Sequence, residues 1–225
     1  NELLRFPEIG DFVYKVLLEA SNYPIPVHKA EDDPKFDELL SWGRPAPRVV
    51  AAEGLIILAR IKEYATPELL NAIRRLSEDP VPAVRFQIAS CLDLLFNTAQ
   101  DLMWQLIERM VYEEKSYEVL IRLLDRPLPR LSRIEPERVA KLTKAIFDHV
   151  QDNRPGSKEV RKACAKIFAI LYIQQGHPIC REAVFSITSN PELYINEANS
   201  ILNILREPLK YRLNDPLDGR ASLIR

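Results

Sequence analysis

The chain has 225 residues, 47% of them hydrophobic and 28% charged, which is enough to bury a core and excludes wholesale disorder. Its net charge of −1 argues against capture of nucleic acid by overall charge. Six glycines are few for a β-sandwich or a phosphate-loop enzyme, and the 17 prolines fall between apolar runs rather than inside them.

Residues 8–20 have helical spacing, with Ile9, Phe12, Val13, Val16 and Leu17 on one face. Residues 22–47 are irregular, holding Pro24, Pro26, Pro34, Pro45 and Pro47 around a short helical candidate, Lys35 to Ser41. Helices are then expected over Val49–Lys62, over 66–78 with Thr66 as cap and Pro67 in the first turn, and over Pro82–Phe96, Ala99–Glu113 and Ser116–Leu124. A basic connection with Pro127, Pro129 and Pro136 follows. Further helices are expected at Glu137–Val150, Ser157–Gln174, Pro178–Ser186 and Pro191–Arg206, and an extended tail from Pro208 with a turn at Asp218-Gly219. Nothing reads as a strand. Helices joined by short Pro-containing turns imply stacked antiparallel pairs.

Three segments align without gaps: 45–58, 80–95 and 157–171. Arg48, Arg85 and Arg161 coincide, as do Ala52, Ala89 and Ala165, at offsets of 37 and 76 residues. The second offset is close to two periods, so a degenerate copy is expected around Tyr117–Leu124. A weaker copy lies at 191–202, with Ala198 in the Ala position.

These segments resemble the HEAT-repeat family, whose second helix opens with an Asp-Pro turn, a Val-Arg pair and then small residues. Asp79-Pro80, Val84-Arg85, Ala89 and Leu92 follow that pattern; Val160-Arg161 and Ala165 follow it without the Asp-Pro; Arg48 and Ala52 follow it with Pro47 in place of the Val. The resemblance covers residues 45–206. It implies an all-α, right-handed superhelix: a HEAT-like solenoid of about five helical hairpins. It is preceded by an N-terminal helical segment with a Pro-rich connection (1–44) and followed by a tail (207–225). Val84, Ile88, Ala89, Leu92, Leu95, Ile167 and Leu171 are expected in the core. The resemblance also implies that Arg48, Arg85 and Arg161 bond to acceptors in adjacent repeats, with ligand binding as the alternative.

No phosphate loop, zinc-protease or serine-hydrolase motif is present, so no catalytic, cofactor or metal residue is assigned. His177 and Cys180 are three residues apart with Cys164 nearby, but no fourth ligand completes a zinc set. Glu113-Glu114 and Asp32-Asp33 read as solvated charges. The odd number of cysteines, Cys91, Cys164 and Cys180, suits reduced thiols in the cytoplasm. There is no membrane-length apolar run and no signal peptide. A chain that opens on Asn1 rather than Met is expected to be part of a longer protein.

The expected function is a non-enzymatic scaffold that binds another protein, or another domain of its parent, along the exposed positions of the second helices. Glu53, Ser90 and Lys166 form one aligned column; Arg60 and Asn97 belong to another, and Trp42 is a surface-anchor candidate. The alternative is nucleic-acid binding, as in the HEAT-like DNA glycosylases that act on alkylated bases. It draws on the segment 122–144, where seven basic side chains face three carboxylates, a local balance of +4. Arg126, Arg130 and Arg133 are its central residues. The bland reading of that segment is a solvated loop whose long side chains cover apolar surface.

Overall fold

The computed structural model describes residues 6–40, 46–150 and 154–214, and the side chains of these except Leu39 and 207–214. Among the described residues there is no strand. In chain order the helices are α1 (Pro7–Ser21), α2 (Asp33–Leu39), α3 (Pro47–Ala59), α4 (Pro67–Leu76), α5 (Pro82–Cys91) and α6 (Gln100–Glu113). They continue with α7 (Tyr117–Asp125), α8 (Pro127–Leu131), α9 (Pro136–His149), α10 (Ser157–Gln175), α11 (Pro178–Ser189) and α12 (Ile195–Asn214).

The helices pack in sequence. Along one row α1 packs on α3, α3 on α5, α5 on α7, α7 on α10 and α10 on α12; along the other, α6 packs on α9 and α9 on α11. Core residues run through both rows, and all seven positions expected there are buried, at 2% exposure or less. Ala52, Ala89 and Ala165 are each 0% exposed, and a side chain of a single methyl at each lets neighbouring helices close up. Each buried Leu or Ile contributes about 1.5–3 kcal/mol, and no single pair of these helices could cover both of its apolar sides.

Local signals set the helix starts. Proline occupies the first turn of α1, α2, α3, α4, α5, α8, α9 and α11, where its missing N–H has no intrahelical acceptor anyway. Thr66 and Ser116 cap α4 and α7 by accepting from Leu69 N and Val119 N. The same property of proline corrects the connection expected at 127–131. Pro127 and Pro129 both fit a first turn, and Leu128 and Leu131 are buried beneath it, so the segment is the short helix α8.

Other departures have local causes. The helix expected over Pro82–Phe96 stops at Cys91 and tightens to a 3-10 turn over Leu92–Leu95, just after the Ser90 hydroxyl donates to the Phe86 carbonyl at 2.7 Å. Such a back-bond competes with the backbone ladder and bends helices. The last helix begins at Ile195 rather than Pro191, because Leu193 N and Tyr194 N turn back to the Asn190 carbonyl. It continues to Asn214, where an extended tail was expected from Pro208. The turn expected at Asp218-Gly219 lies outside the described residues.

α1 is rotated from the face its hydrophobicity selects. Ile9, Phe12 and Val16 are 52%, 67% and 44% exposed, while Gly10 and Ser21 are buried. Three inward anchors explain this. A side chain at Gly10 would collide with Tyr64; Gly54 of α3 leaves the space that Leu17 fills; and the Tyr14 hydroxyl meets Thr66 Oγ1 at 2.8 Å and donates to Glu68 Oε2 at 3.0 Å.

Candidate interaction face

The three aligned arginines are fasteners between helices. Arg48 at the start of α3 places Nε 2.8 Å from Asp79 Oδ2, and donates to the carbonyls of Tyr23 and Pro26. Asp79 also accepts from Val81 N at 2.9 Å, which shapes the turn into α5. Arg85 grips both Glu114 oxygens at 2.8 Å and donates to the Asp79 carbonyl. Arg161 bonds Glu197 at 3.0 Å and lies 4.6 Å from the centre of the Phe147 ring. At the degenerate copy, Arg122 stacks on the Phe86 ring at 4.3 Å. Glu114 therefore departs from the solvated pair expected at 113–114: its side chain is 3% exposed and is the buried partner of Arg85.

A second set of bonds stitches the other row. Arg109 of α6 reaches back to Glu78 and to Ser77 Oγ, Arg138 of α9 to Glu108 at 2.7 Å, and His177 before α11 to Glu137 at 2.9 Å. None of these pairs follows from the repeat signature; only opposite charges about 30 to 40 residues apart hint at them. His177 belongs to this series, and no group of three or more metal-capable side chains occurs among the described residues. Cys164 and Cys180 are buried and free, with burial pushing the Cys180 thiol up to about 12.

The basic segment 122–144 is largely engaged within the fold. Besides Arg122 and Arg138, Arg130 pairs with Asp93 at 2.7 Å, Lys141 with Glu137 at 2.9 Å and Lys144 with Asp148 at 2.6 Å. Arg138 also lies over the buried Trp104 ring at 4.4 Å. Arg126 and Arg133 are exposed, and no ion pair engages them among the described residues.

The expected interaction residues separate into two places. Glu53 is exposed on α3 and Arg60 just past its end, Ser90 is half-buried near the end of α5, and Asn97 is exposed just beyond the 3-10 turn. Burial raises the Cys91 thiol beside Ser90, as do the charges of Glu53 and Asp93, against the opposing charges of Arg130 and Arg126. The Asp93–Arg130 pair, with Glu53 and Arg126 close enough to act on the Cys91 thiol, gives the end of α5 mixed charge. Trp42 lies outside the described residues.

Lys166 belongs instead to a groove of about 450 Å³ further along the same row. Its walls are α7, carrying Glu118 and Asp125, and α12, carrying Asn196, Asn199 and Asn203. α10 lies between them and supplies Lys162 and Lys166. Burial, with Asp37 and Glu159 nearby, holds the Glu118 carboxyl above its ordinary range. The α12 asparagines escaped the sequence reading because the weak copy at 191–202 supplied only Ala198 as an anchor.

A further cleft of about 460 Å³ separates α2 from the starts of α5 and α7. Within it, Asp37 accepts from Ser116 Oγ and, at 3.3 Å, from Tyr117 N, and Arg154 lies 3.5 Å away. α2 is thereby pinned to the N-terminus of α7.

No helix among the described residues is long and apolar enough to cross a membrane. No family model matches the chain, and searches of curated proteins and of solved structures also found no match.

Proposed function

We propose that the chain is a HEAT-like α-solenoid that works as a non-enzymatic scaffold, binding another protein or another domain of its parent along the row α3, α5, α7, α10 and α12. The observation that carries this is the state of the basic segment. Arg130, Arg138, Lys141 and Lys144 are each paired with a carboxylate, so the surface offers alternating charge instead of a phosphate-binding stripe. Mixed charge around half-buried polar positions suits a protein partner, since complementarity on such a face selects one partner over others. The aligned Arg–carboxylate fasteners and small residues support the family resemblance. The free, mostly buried thiols support a reducing, cytoplasmic setting.

Nucleic-acid binding is the competing reading, and it makes a measurable demand. Each phosphate neutralised releases counterions, so affinity must fall steeply with salt. The chain is expected to show only weak, non-specific binding to duplex or single-stranded oligonucleotides at about 150 mM salt, where specific binders typically reach about 10 nM or tighter. Fluorescence anisotropy across a salt series measures this. Sub-micromolar affinity that disappears when Arg126, Arg130 and Arg133 become Ala would overturn the scaffold reading.

A further inference from the structure

The groove between α7, α10 and α12 has a more specific chemistry than the rest of the row. Asn196, Asn199 and Asn203 stand at positions i, i+3 and i+7 of α12, and so share one face of that helix. Among the described residues, no hydrogen bond engages any of the three side-chain amides. A carboxamide carries a carbonyl acceptor beside N–H donors, the same pairing that a peptide group presents.

We propose that this groove binds a partner segment in extended conformation, held through its peptide backbone by the asparagine row. The proposal rests on the scaffold reading above and names the form its partner takes. A bound helix would have no use for the amides, because its own N–H and C=O groups are paired internally. An extended segment leaves them free along both edges. The three asparagines span about 10 Å of helix axis, the length of about three extended residues. The far edge of the segment faces Glu118 and Asp125, which as carboxylates accept N–H donors. Side chains of a strand stand perpendicular to its hydrogen-bonding edges, so alternate ones descend to the α10 floor. There Lys166 is exposed with no ion pair among the described residues, whereas Lys162 is held by Glu159 at 2.9 Å. Ala163 keeps the floor low between them. The favoured segment therefore carries an acidic residue. The alternatives fit less well: Glu118 and Asp125 along the α7 wall repel a continuous phosphate backbone, whereas a single acidic side chain meets only Lys166 on the floor, and no aromatic ring among the lining residues can stack a base.

The test begins with peptides selected from a random dodecapeptide phage library against the 225-residue chain, labelled and titrated by fluorescence anisotropy. The expected result is a set enriched in an acidic position. Its affinity falls about tenfold or more with Asn199→Ala/Asn203→Ala, with Lys166→Glu, and with backbone N-methylation of the peptide. Asn199 and Asn203 are exposed, so the melting temperature of that variant should match the parent, which separates lost contact from lost folding. Peptides that ignore the asparagine and N-methyl changes overturn the groove. If their binding is lost instead with Glu53→Lys or Arg60→Glu, the scaffold reading stands while the groove falls. Failure to enrich any peptide also overturns the groove, and the oligonucleotide titration separately decides the scaffold.

Discussion

Arg85 and Glu114 form a pair with side chains only 17% and 3% exposed, in bidentate geometry. Removing one partner of such a pair strands the other charge. Arg85→Ala is therefore expected to destabilise by about 3–5 kcal/mol, read by urea or thermal melting. A loss under 1 kcal/mol would show that Glu114 finds solvent or another donor. Ala89, 0% exposed on the same helix, is expected to be less tolerant still. Ala89→Arg overpacks a close contact and buries an unpaired cation, at a cost of several kcal/mol. An unchanged melting temperature would refute its placement at that contact. These two residues were legible in the sequence because the repeat places Arg and Ala at fixed offsets on one helix. Glu114 was not, since its burial comes from a partner that no local spacing reveals.

The thiols offer a pH test at the same scale. Burial raises the Cys180 pKa from 9.0 to about 12, and raises that of Cys164 as well. Above the ordinary thiol pKa the unfolded chain gives up protons that the folded chain keeps. The stability these groups contribute is thus intact below pH 9 and is lost as pH climbs toward about 12. Urea midpoints should fall over that window, and less so in Cys180→Ala. Mass spectrometry after brief native alkylation should find label only at Cys91, the half-buried thiol, and more slowly than on a free cysteine because its pKa is also raised.

Among elements, α2 is the informative one. The stretch 22–47 read as irregular around one short helix, and that helix, expected at Lys35–Ser41, starts two residues earlier at Asp33. Its role depends on Asp37 meeting Ser116 and Tyr117 N, which lie 79 and 80 residues away in the chain, a distance over which periodicity says nothing. Asp37→Ala is expected to cost about 1–2 kcal/mol, as for a lost helix cap. Hydrogen exchange should rise in α2 and the first turn of α7 and leave α5 protected. Uniform acceleration across the chain would mean that α2 is integral to global folding instead. α1 teaches the complementary lesson. Periodicity identified the helix, but Gly10, Gly54 and Tyr14 chose which side faces in, and shape prevailed over hydrophobicity.

At the scale of the molecule, each helix of the first row touches mainly its neighbours in that row and in the adjacent one. Stability should then be a sum of local and nearest-neighbour contributions, not one all-or-none quantity. Arg161→Ala, which frees Glu197, is expected to speed amide exchange in α12 and the facing side of α10 while α3 and α5 keep their protection. Loss of protection everywhere would establish a single cooperative unit. The all-helical class and the order of the helices were legible because each hairpin announces itself by local apolar spacing and proline. The groove at α7, α10 and α12 was not, because it is assembled from three helices whose polar residues carry no mutual register in the sequence.

The aligned fasteners also bear on how such a chain could be lengthened or shortened. Arg48 finds its carboxylate 31 residues downstream and Arg85 finds its own 29 downstream, so each bond crosses from one helical pair into the next. A cut made between an arginine and its carboxylate separates them. Yet because these two carboxylates lie at nearly the same reach, excising residues 49–85 would place Glu114 where Arg48 could meet it, 29 residues downstream. In-frame loss of that period thus preserves a clasp, while a single break inside 48–79 or inside 85–114 destroys the one it crosses. Recombination in the gene would be filtered by that phase, and anyone grafting units between such chains should place the seams accordingly.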